Sequence, residues 1–417
     1  IAWSTHSCVS RCTSSSDKEK AKDTLPKAHI NDSISNALTD GKEYHKMDSL
    51  VERFLKRWEI NGAQLGITPN DSLLYARGFG WADKERGIRM EPNMLMRFAS
   101  VSKLITAVGI MKLQEMKKLK MNEKVFGPKG ILNDTTYNNS IKDQRYYNIT
   151  VEQLLRHQAG FNNYAGDPVS STRYIMIQNH LTTPPDHKTL LKILLKRHLG
   201  YTPGEGKCYS NLGYMILSMI IEKKSRMKYE NFMQKYVLQP AGCYDMHIAG
   251  TYYKDRRPNE TKYYMHKGSI PVYEYNNSGR MVEKCYGDTD LPRLSGAGAW
   301  CGSAAELSRL IASIDGMPHV KDILSKKSIQ FMTTEQPDHQ YSIGWNYTPK
   351  SNRPWIRTGS LAGTSAIVLK YPDSQCWILI TNTSTWKGHG FSNDSMAFFE
   401  KLRKQFMSDM PKKDMFI

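Results

Sequence analysis

Strand-length segments stand near both ends of this 417-residue chain, and they constrain the fold more than any other feature. Ala63 to Thr68 and Ser72 to Gly80 read as two strands around a Thr68-Pro69-Asn70-Asp71 turn, a hairpin. Far downstream, Tyr341 to Tyr347, Ser365 to Tyr371 and Cys376 to Thr381 alternate or run apolar, with Pro372-Asp373 as a turn. Between these ends, residues 120–290 carry mostly helical patterns broken by loops. The economical architecture is therefore one antiparallel sheet built from both termini, covered by helices, with an inserted all-helical lobe: an α/β (α+β) fold. The α/β part is expected at about 44–98 and 300–410 and the helical lobe at about 99–299, within a single domain spanning 44–410.

Several helices are legible. Met47, Leu50, Val51, Phe54 and Leu55 recur at helical spacing. A helix is expected from Ser100 to about Met116, and a short one from Val151 to His157, closed by Gly160. Leu212 to Lys223 is strongly apolar and helical, and Ser395 to Met407 is amphipathic. Gly250 to Leu291, rich in Tyr, Lys and Asn, reads as irregular. Residues 1–43 are rich in Ser, Thr, Lys and Asp with little periodicity, and read as a flexible leader.

Charge and cysteine usage narrow the function. Lys and Arg number 58 against 40 Asp and Glu, a net +18, but the excess is spread along the chain as ordinary helix-surface charge. No nucleic-acid module and no basic run interleaved with aromatics is present, so no nucleic-acid partner is expected. The longest apolar runs are strand length, far short of the roughly 18 residues a membrane span needs. The seven cysteines suggest neither a zinc site nor a disulfide framework. Cys8, after an apolar start, is a candidate acceptor for a lipid anchor.

Chemistry concentrates at Ser100-Val101-Ser102-Lys103, where a helix begins. Residues i and i+3 are neighbours on one helix face, so the Lys103 amine can reach the Ser100 hydroxyl. That suits a serine nucleophile with an amine base. The spacing alone carries little weight: Ser15 and Lys18 share it in a polar tail. Two further elements follow in order. Tyr209-Ser210-Asn211 precedes the apolar helix, and Arg357-Thr358-Gly359-Ser360 stands just before a strand.

With these three motifs the chain resembles the serine β-lactamase and penicillin-binding-protein superfamily. Within it, the class C β-lactamases, D-alanyl-D-alanine carboxypeptidases and esterases are the most similar branch. Phe79-Gly80-Trp81-Ala82-Asp83, Leu154-Leu155-Arg156-His157-Gln158-Ala159-Gly160, Gly296-Ala297-Gly298 and Gly344-Trp345 resemble supporting elements, and the likeness covers about residues 45–405.

The resemblance implies a serine hydrolase working through an acyl-enzyme on an amide or ester, such as a D-amino-acid peptide or β-lactam-like compound. Its alternative is a catalytically weak penicillin- or peptide-binding protein of the same fold. Ser100 would be the nucleophile, in the positive field of a helix N-terminus. Lys103, desolvated, would be the base, and Tyr209 its partner in proton transfer. In an extended segment Tyr209 and Asn211 point one way and Ser210 the other. Asn211 would then bond Lys103 and a substrate amide.

The family's oxyanion hole, carried over, uses the backbone N–H groups of Ser100 and Ser360. Arg357 departs from the usual Lys or His. It keeps a positive charge suited to a substrate carboxylate but cannot easily release a proton. With Thr358, Gly359 and Ser360 it is expected to line the substrate side. His157 reads as a structural, hydrogen-bonding histidine. Lys207 and Trp300 are candidates to border the cleft. No cofactor or metal is expected. A monomer outside the cytoplasm of a bacterium is expected, whether periplasmic, secreted or an envelope lipoprotein.

Overall fold

The computed structural model describes residues 29–337, 340–386 and 390–416. Residues 1–28, including Cys8 and most of the expected leader, lie outside the described residues. Among the described residues, six strands form one antiparallel sheet. They are β1 (Gly62–Thr68), β2 (Tyr75–Asp83), β3 (Ile88–Arg89), β4 (Trp355–Leu361), β5 (Thr364–Lys370) and β6 (Cys376–Thr381). Their order across the sheet is β3-β2-β1-β6-β5-β4, so the two chain ends meet at its centre. There β1 runs against β6, from Ala63 opposite Thr381 to Thr68 opposite Cys376.

The principal helices are α1 (Lys42–Arg57), α2 (Ser102–Glu115), α3 (Asn211–Ser225), α4 (Ala304–Ala312) and α5 (Gly390–Phe406). Both faces of the central strands are buried, which is why β6 reads as a continuous apolar run. Its side chains still alternate. Trp377 and Leu379 pack with Met47, Val51 and Phe54 of α1 and with Phe399 and Leu402 of α5. Cys376, Ile378 and Ile380 face the other core, which holds Leu307 and Ile311 of α4 and most of α2. The α2 helix, apolar on nearly every side, is central to that core, with α3 against it. A short ribbon of Met96–Arg97, Trp300–Gly302 and His247–Ile248 leads the chain into α2.

Four expectations need correction. The leader does not extend to residue 43: Ile30 and Ile34 are buried with Leu73, Ala76 and Met415. Asn36 is tied in as well, its side chain bonding Gly78 and Met90 and its N–H donating to Glu91. A polar composition hid these two isolated apolar anchors. Second, Tyr341 to Tyr347 is not a strand; only a single bridge joins Tyr347 to Ile356. Gly344 breaks the run with φ +77°, and a methyl there would lie 2.9 Å from Ala107 Cβ of α2. Third, Arg357 to Ser360 lie inside β4, an edge strand, and not ahead of one. Fourth, the short helix ends at Leu155, and His157, at φ +58°, makes the turn assigned to Gly160. Gly250 to Leu291 holds only short turns and a two-residue ribbon.

Beneath the β1–β2 turn, Lys370 pairs with Asp315 and stands 3.6 Å from Asp71, all three side chains buried. Burial and the neighbouring Asp315 charge raise the Asp71 carboxyl to about 7, outweighing the pull of Lys370. A carboxyl raised on folding gives stability that is present below its unfolded pKa, about 4, and is lost as pH rises towards 7. Asp71→Asn, uncharged at every pH, should therefore raise the melting temperature more at pH 8 than at pH 5. The expected difference is about 1–2 °C, read by thermal melts at the two pH values.

Candidate active site

The turn at Ser100 is set by backbone geometry. Ala99 adopts a left-handed conformation, φ +50°, costly by about 1–2 kcal/mol for a residue with a Cβ. Ser100 follows in a tight turn, Ala99–Val101, that feeds α2. One turn on, the Lys103 amine donates to Ser100 Oγ at 3.1 Å, Asn211 Oδ1 at 2.6 Å and the Ala297 carbonyl at 2.7 Å. An ammonium has three protons, so these partners match its full donor capacity. Lys103 is 0% exposed. Burial depresses its pKa, while the charges of Tyr209 and Asp167 oppose that and Arg357 adds to it.

Tyr209 is set by the segment before α3. The buried Ser210 caps that helix, its Oγ accepting the Gly213 N–H at 3.0 Å. Ser210's own N–H donates to His157 Nδ1 at 3.0 Å. His157 is thus a positioning residue with an unprotonated Nδ1. Burial, then the charges of Lys103 and Arg357, push its pKa well below the usual histidine value. Its ring lies 4.6 Å from that of Tyr209 and 4.8 Å from that of Tyr341. The Lys103 amine stands 4.7 Å from the Tyr209 ring centre. Burial raises the Tyr209 pKa, but the charges of Lys103 and Arg357 bring it down to about 7.

Arg357 does not face the cleft as a carboxylate anchor. It is 1% exposed and donates from Nη2 to Tyr209 Oη at 2.9 Å and from Nη1 to the Gly344 carbonyl at 3.2 Å. Strand alternation explains this: Arg357 and Gly359 share the buried face of β4, while Thr358 and Ser360 lie on the opposite face. A methyl at Gly359 would sit 2.6 Å from the Phe98 carbonyl oxygen and 2.8 Å from the Ser100 nitrogen. The missing Cβ is what lets the strand touch the turn at Ser100.

The N–H groups of Ile356 and Thr358 donate away from β5, to the Tyr347 carbonyl at 3.0 Å and to Asn346 Oδ1 at 2.9 Å. Backbone N–H groups alternate along a strand, so that of Ser360 falls on the same edge, one residue beyond the contact with Ser100.

The sequence motifs do not reveal every member of this cluster. Asp167 accepts a close hydrogen bond from Asn211 Nδ2, and its turn is held by Val169 N–H at 3.0 Å and Ser170 Oγ at 2.9 Å. The Asp167-Pro168 turn signal marks a loop and says nothing of its place in the fold. Ala297 contributes only its carbonyl, although its Gly-Ala-Gly turn stood out. Trp300 belongs to the core, its Nε1 donating to Tyr229 at 2.8 Å, and does not border the cleft. Lys207 is exposed and Cys208 half-buried. Away from this cluster, His247, Glu260 and Cys301 have ligand-type atoms within 4.8 Å of one another. Glu260 there already accepts from Tyr263 at 2.9 Å and stands 3.7 Å from His247 Nε2.

The Beta-lactamase family model matches residues 47–397. The chain is 25% identical over 342 residues to Penicillin-binding protein 4* of Bacillus subtilis (strain 168), covering 78% of this chain and 69% of that protein. It is 23% identical over 341 residues to Protein flp of Staphylococcus aureus (strain NCTC 8325 / PS 47), covering 80% and 62%. The chain thus spans about two thirds of these relatives' length.

Among solved structures, the D-amino acid amidase of Ochrobactrum anthropi SV3, complexed with L-phenylalanine amide, superposes with TM-score 0.64 at 16% identity. That match covers 86% of this chain and 99% of that one. The octameric penicillin-binding protein homologue of Pyrococcus abyssi gives 0.60 at 19%, covering 85% and 77%. These likenesses establish the mixed helix and antiparallel-sheet fold.

Gly359→Ala should separate β4 from the turn at Ser100 while leaving the helices intact. The expected outcome is a loss of about 10²-fold or more in kcat/KM on an activated ester, with an unchanged far-UV circular dichroism spectrum.

Proposed function

The chain belongs to the Beta-lactamase family, and from that premise we propose that it is a serine hydrolase that cleaves an amide or ester through an acyl-enzyme on Ser100. The observation that carries this reading is the Ser100 hydroxyl 3.1 Å from a fully buried amine, beside a tyrosine brought to about pH 7 by two cations. At neutral pH Tyr209 divides between phenol and phenolate, so it can take a proton and return it. Ser100 Oγ attacks the substrate carbonyl carbon as its proton passes to Tyr209, with Lys103 stabilising the phenolate before transfer.

The carbonyl π-pair moves onto oxygen, and the N–H groups of Ser100 and Ser360 receive that charge. Collapse expels the leaving amine or alcohol, which takes the proton back from Tyr209. Water then attacks the acyl-serine, releases the acid and restores Ser100. Arg357 acts on this sequence through Tyr209 and not through the substrate.

D-amino-acid peptides and β-lactam-like compounds are the proposed substrate range, on the strength of the named relatives. A bacterial location outside the cytoplasm is proposed on the same ground. Among the described residues no helix is long and apolar enough to cross a membrane.

Intact-mass spectrometry tests the nucleophile. A fluorophosphonate should add once to the protein, and the adduct should vanish in Ser100→Ala. Absence of any adduct with fluorophosphonate, penicillin and an activated ester would refute the acyl-serine reading. An adduct with penicillin but no turnover of any ester or amide would favour the peptide-binding alternative.

The pH profile tests the base. If Tyr209 acts ionised, kcat/KM on a neutral ester rises about tenfold per pH unit below about 7 and flattens above it. Arg357→Gln removes a charge that lowers the Tyr209 pKa, so this limb should move to higher pH. A limb left in place by Arg357→Gln would show that the guanidinium does not tune the base.

A further inference from the structure

Three charged side chains are tied by hydrogen bonds into the Ser100 cluster: Lys103, Arg357 and Asp167. The two cations are turned inward. Lys103 spends its protons on Ser100, Asn211 and Ala297, and Arg357 spends its two Nη groups on Tyr209 and Gly344. Each is at most 1% exposed. Neither presents a face to a substrate carboxylate. The one of the three that reaches solvent is the anion, Asp167, which is half-buried between the exposed residues 163–166 and the buried Pro168 and Val169.

Asn211 fixes the direction of this charge. Its Oδ1 must meet the Lys103 amine and its Nδ2 must meet Asp167, so the side-chain amide has one orientation. Ser100, Lys103, Asn211 and Asp167 thereby form one hydrogen-bonded row, from nucleophile to a water-accessible carboxylate. Asp167 is held in place, since its Oδ1 accepts the Val169 N–H and its Oδ2 the Ser170 hydroxyl. With Asn211 Nδ2 also on Oδ2, these donors leave one lone pair, on Oδ1. The chemistry that completes such a site is a cationic donor. The family resemblance carries to Asn211 a bond to a substrate amide, and on that reading the cation belongs to the acyl portion of the substrate.

We propose that Asp167 is a specificity-determining residue that selects substrates bearing a free ammonium group on the acyl side of the scissile bond, namely unblocked amino-acid or peptide amides and esters. This inference rests on the acyl-serine reading of Ser100. Substrates whose main recognition handle is a carboxylate lack a partner in this row.

The test compares alanine p-nitroanilide, in both enantiomers, with propionyl p-nitroanilide, which lacks only the amine. A p-nitrophenyl butyrate assay and fluorophosphonate labelling run in parallel. One alanine enantiomer should exceed the propionyl compound at least tenfold in kcat/KM. Asp167→Asn, which keeps the shape and acceptor oxygen, should cut that ratio at least tenfold, chiefly through KM. Asp167→Glu, which restores the charge, should recover part of it. KM for the alanine substrate alone should rise above about pH 8, where its amine loses its charge.

Equal rates on the two anilides would overturn the proposal, as would an Asp167→Asn variant that slows both by the same factor. So would failure of both anilides while butyrate turnover and Ser100 labelling persist; the acyl-serine reading then stands and this inference alone falls. Loss of labelling and butyrate turnover in the unaltered protein would remove both.

Discussion

The antiparallel junction of β1 and β6 is the constraint on which the rest depends. Thr68 and Cys376 are 308 residues apart in the chain yet face each other across it. Closing a loop of that length costs about 5 kcal/mol in chain entropy beyond a constant. Leu65 and Ile67 of β1 and Trp377 and Leu379 of β6 are buried in one core. Each such side chain contributes roughly 1.5–3 kcal/mol, so four offset the closure. Once β6 is seated, β5 and β4 follow by short hairpins, and Gly359 arrives at Ser100. Ser100 and the strand beside it therefore meet only because the sheet closes on residues from both termini.

Closure also buries two cations side by side, and the site's electrostatics follow from that. Lys103 and Arg357 both stand over Tyr209, at 4.7 Å and 5.9 Å from its ring centre. A buried cation without a counter-charge is costly. Among the described residues, neither has a salt bridge to a carboxylate within 4.0 Å. The ionisable group available to both is the Tyr209 hydroxyl, and its pKa falls despite its burial. The His157 pKa falls as well, chiefly through burial and then through the charges of Lys103 and Arg357. One field thus keeps the tyrosine near ionisation and the histidine neutral. That separation fits His157 to accept the Ser210 N–H and Tyr209 to exchange a proton.

Much of this was legible in the sequence, for identifiable reasons. The central strands announced themselves because they are buried on both faces, and β6 was delimited to the residue. Ser100, Lys103, Tyr209 and Asn211 lie together because their motifs sit at helix starts, where local geometry is strongly specified. Arg357 was placed in the right segment but given the wrong partner. Its charge suggested a substrate carboxylate, whereas strand alternation turns it inward to Tyr209, and the face a strand buries depends on its neighbours. Tyr341 to Tyr347 has strand composition, and a single glycine, packed against α2, overrides it. Asp167 had no local signal, because its role comes from a loop position that only the tertiary fold brings to Asn211.

The placement of Ser100 is therefore a property of backbone more than of side chains. The left-handed Ala99, the bare Gly359 and the Ala297 carbonyl each fix a main-chain atom near the serine. They come from three segments of the chain, and at Gly359 an added methyl would meet backbone atoms at 2.6–2.8 Å. A site framed this way holds its donors in place before substrate enters, so that charge developing on a carbonyl oxygen meets dipoles already aligned. Side chains at the rim, such as Asp167, lie outside that frame. They can vary in chemistry without moving Ser100, so under the acyl-serine proposal the frame would set the kind of reaction and the rim which acyl group is admitted.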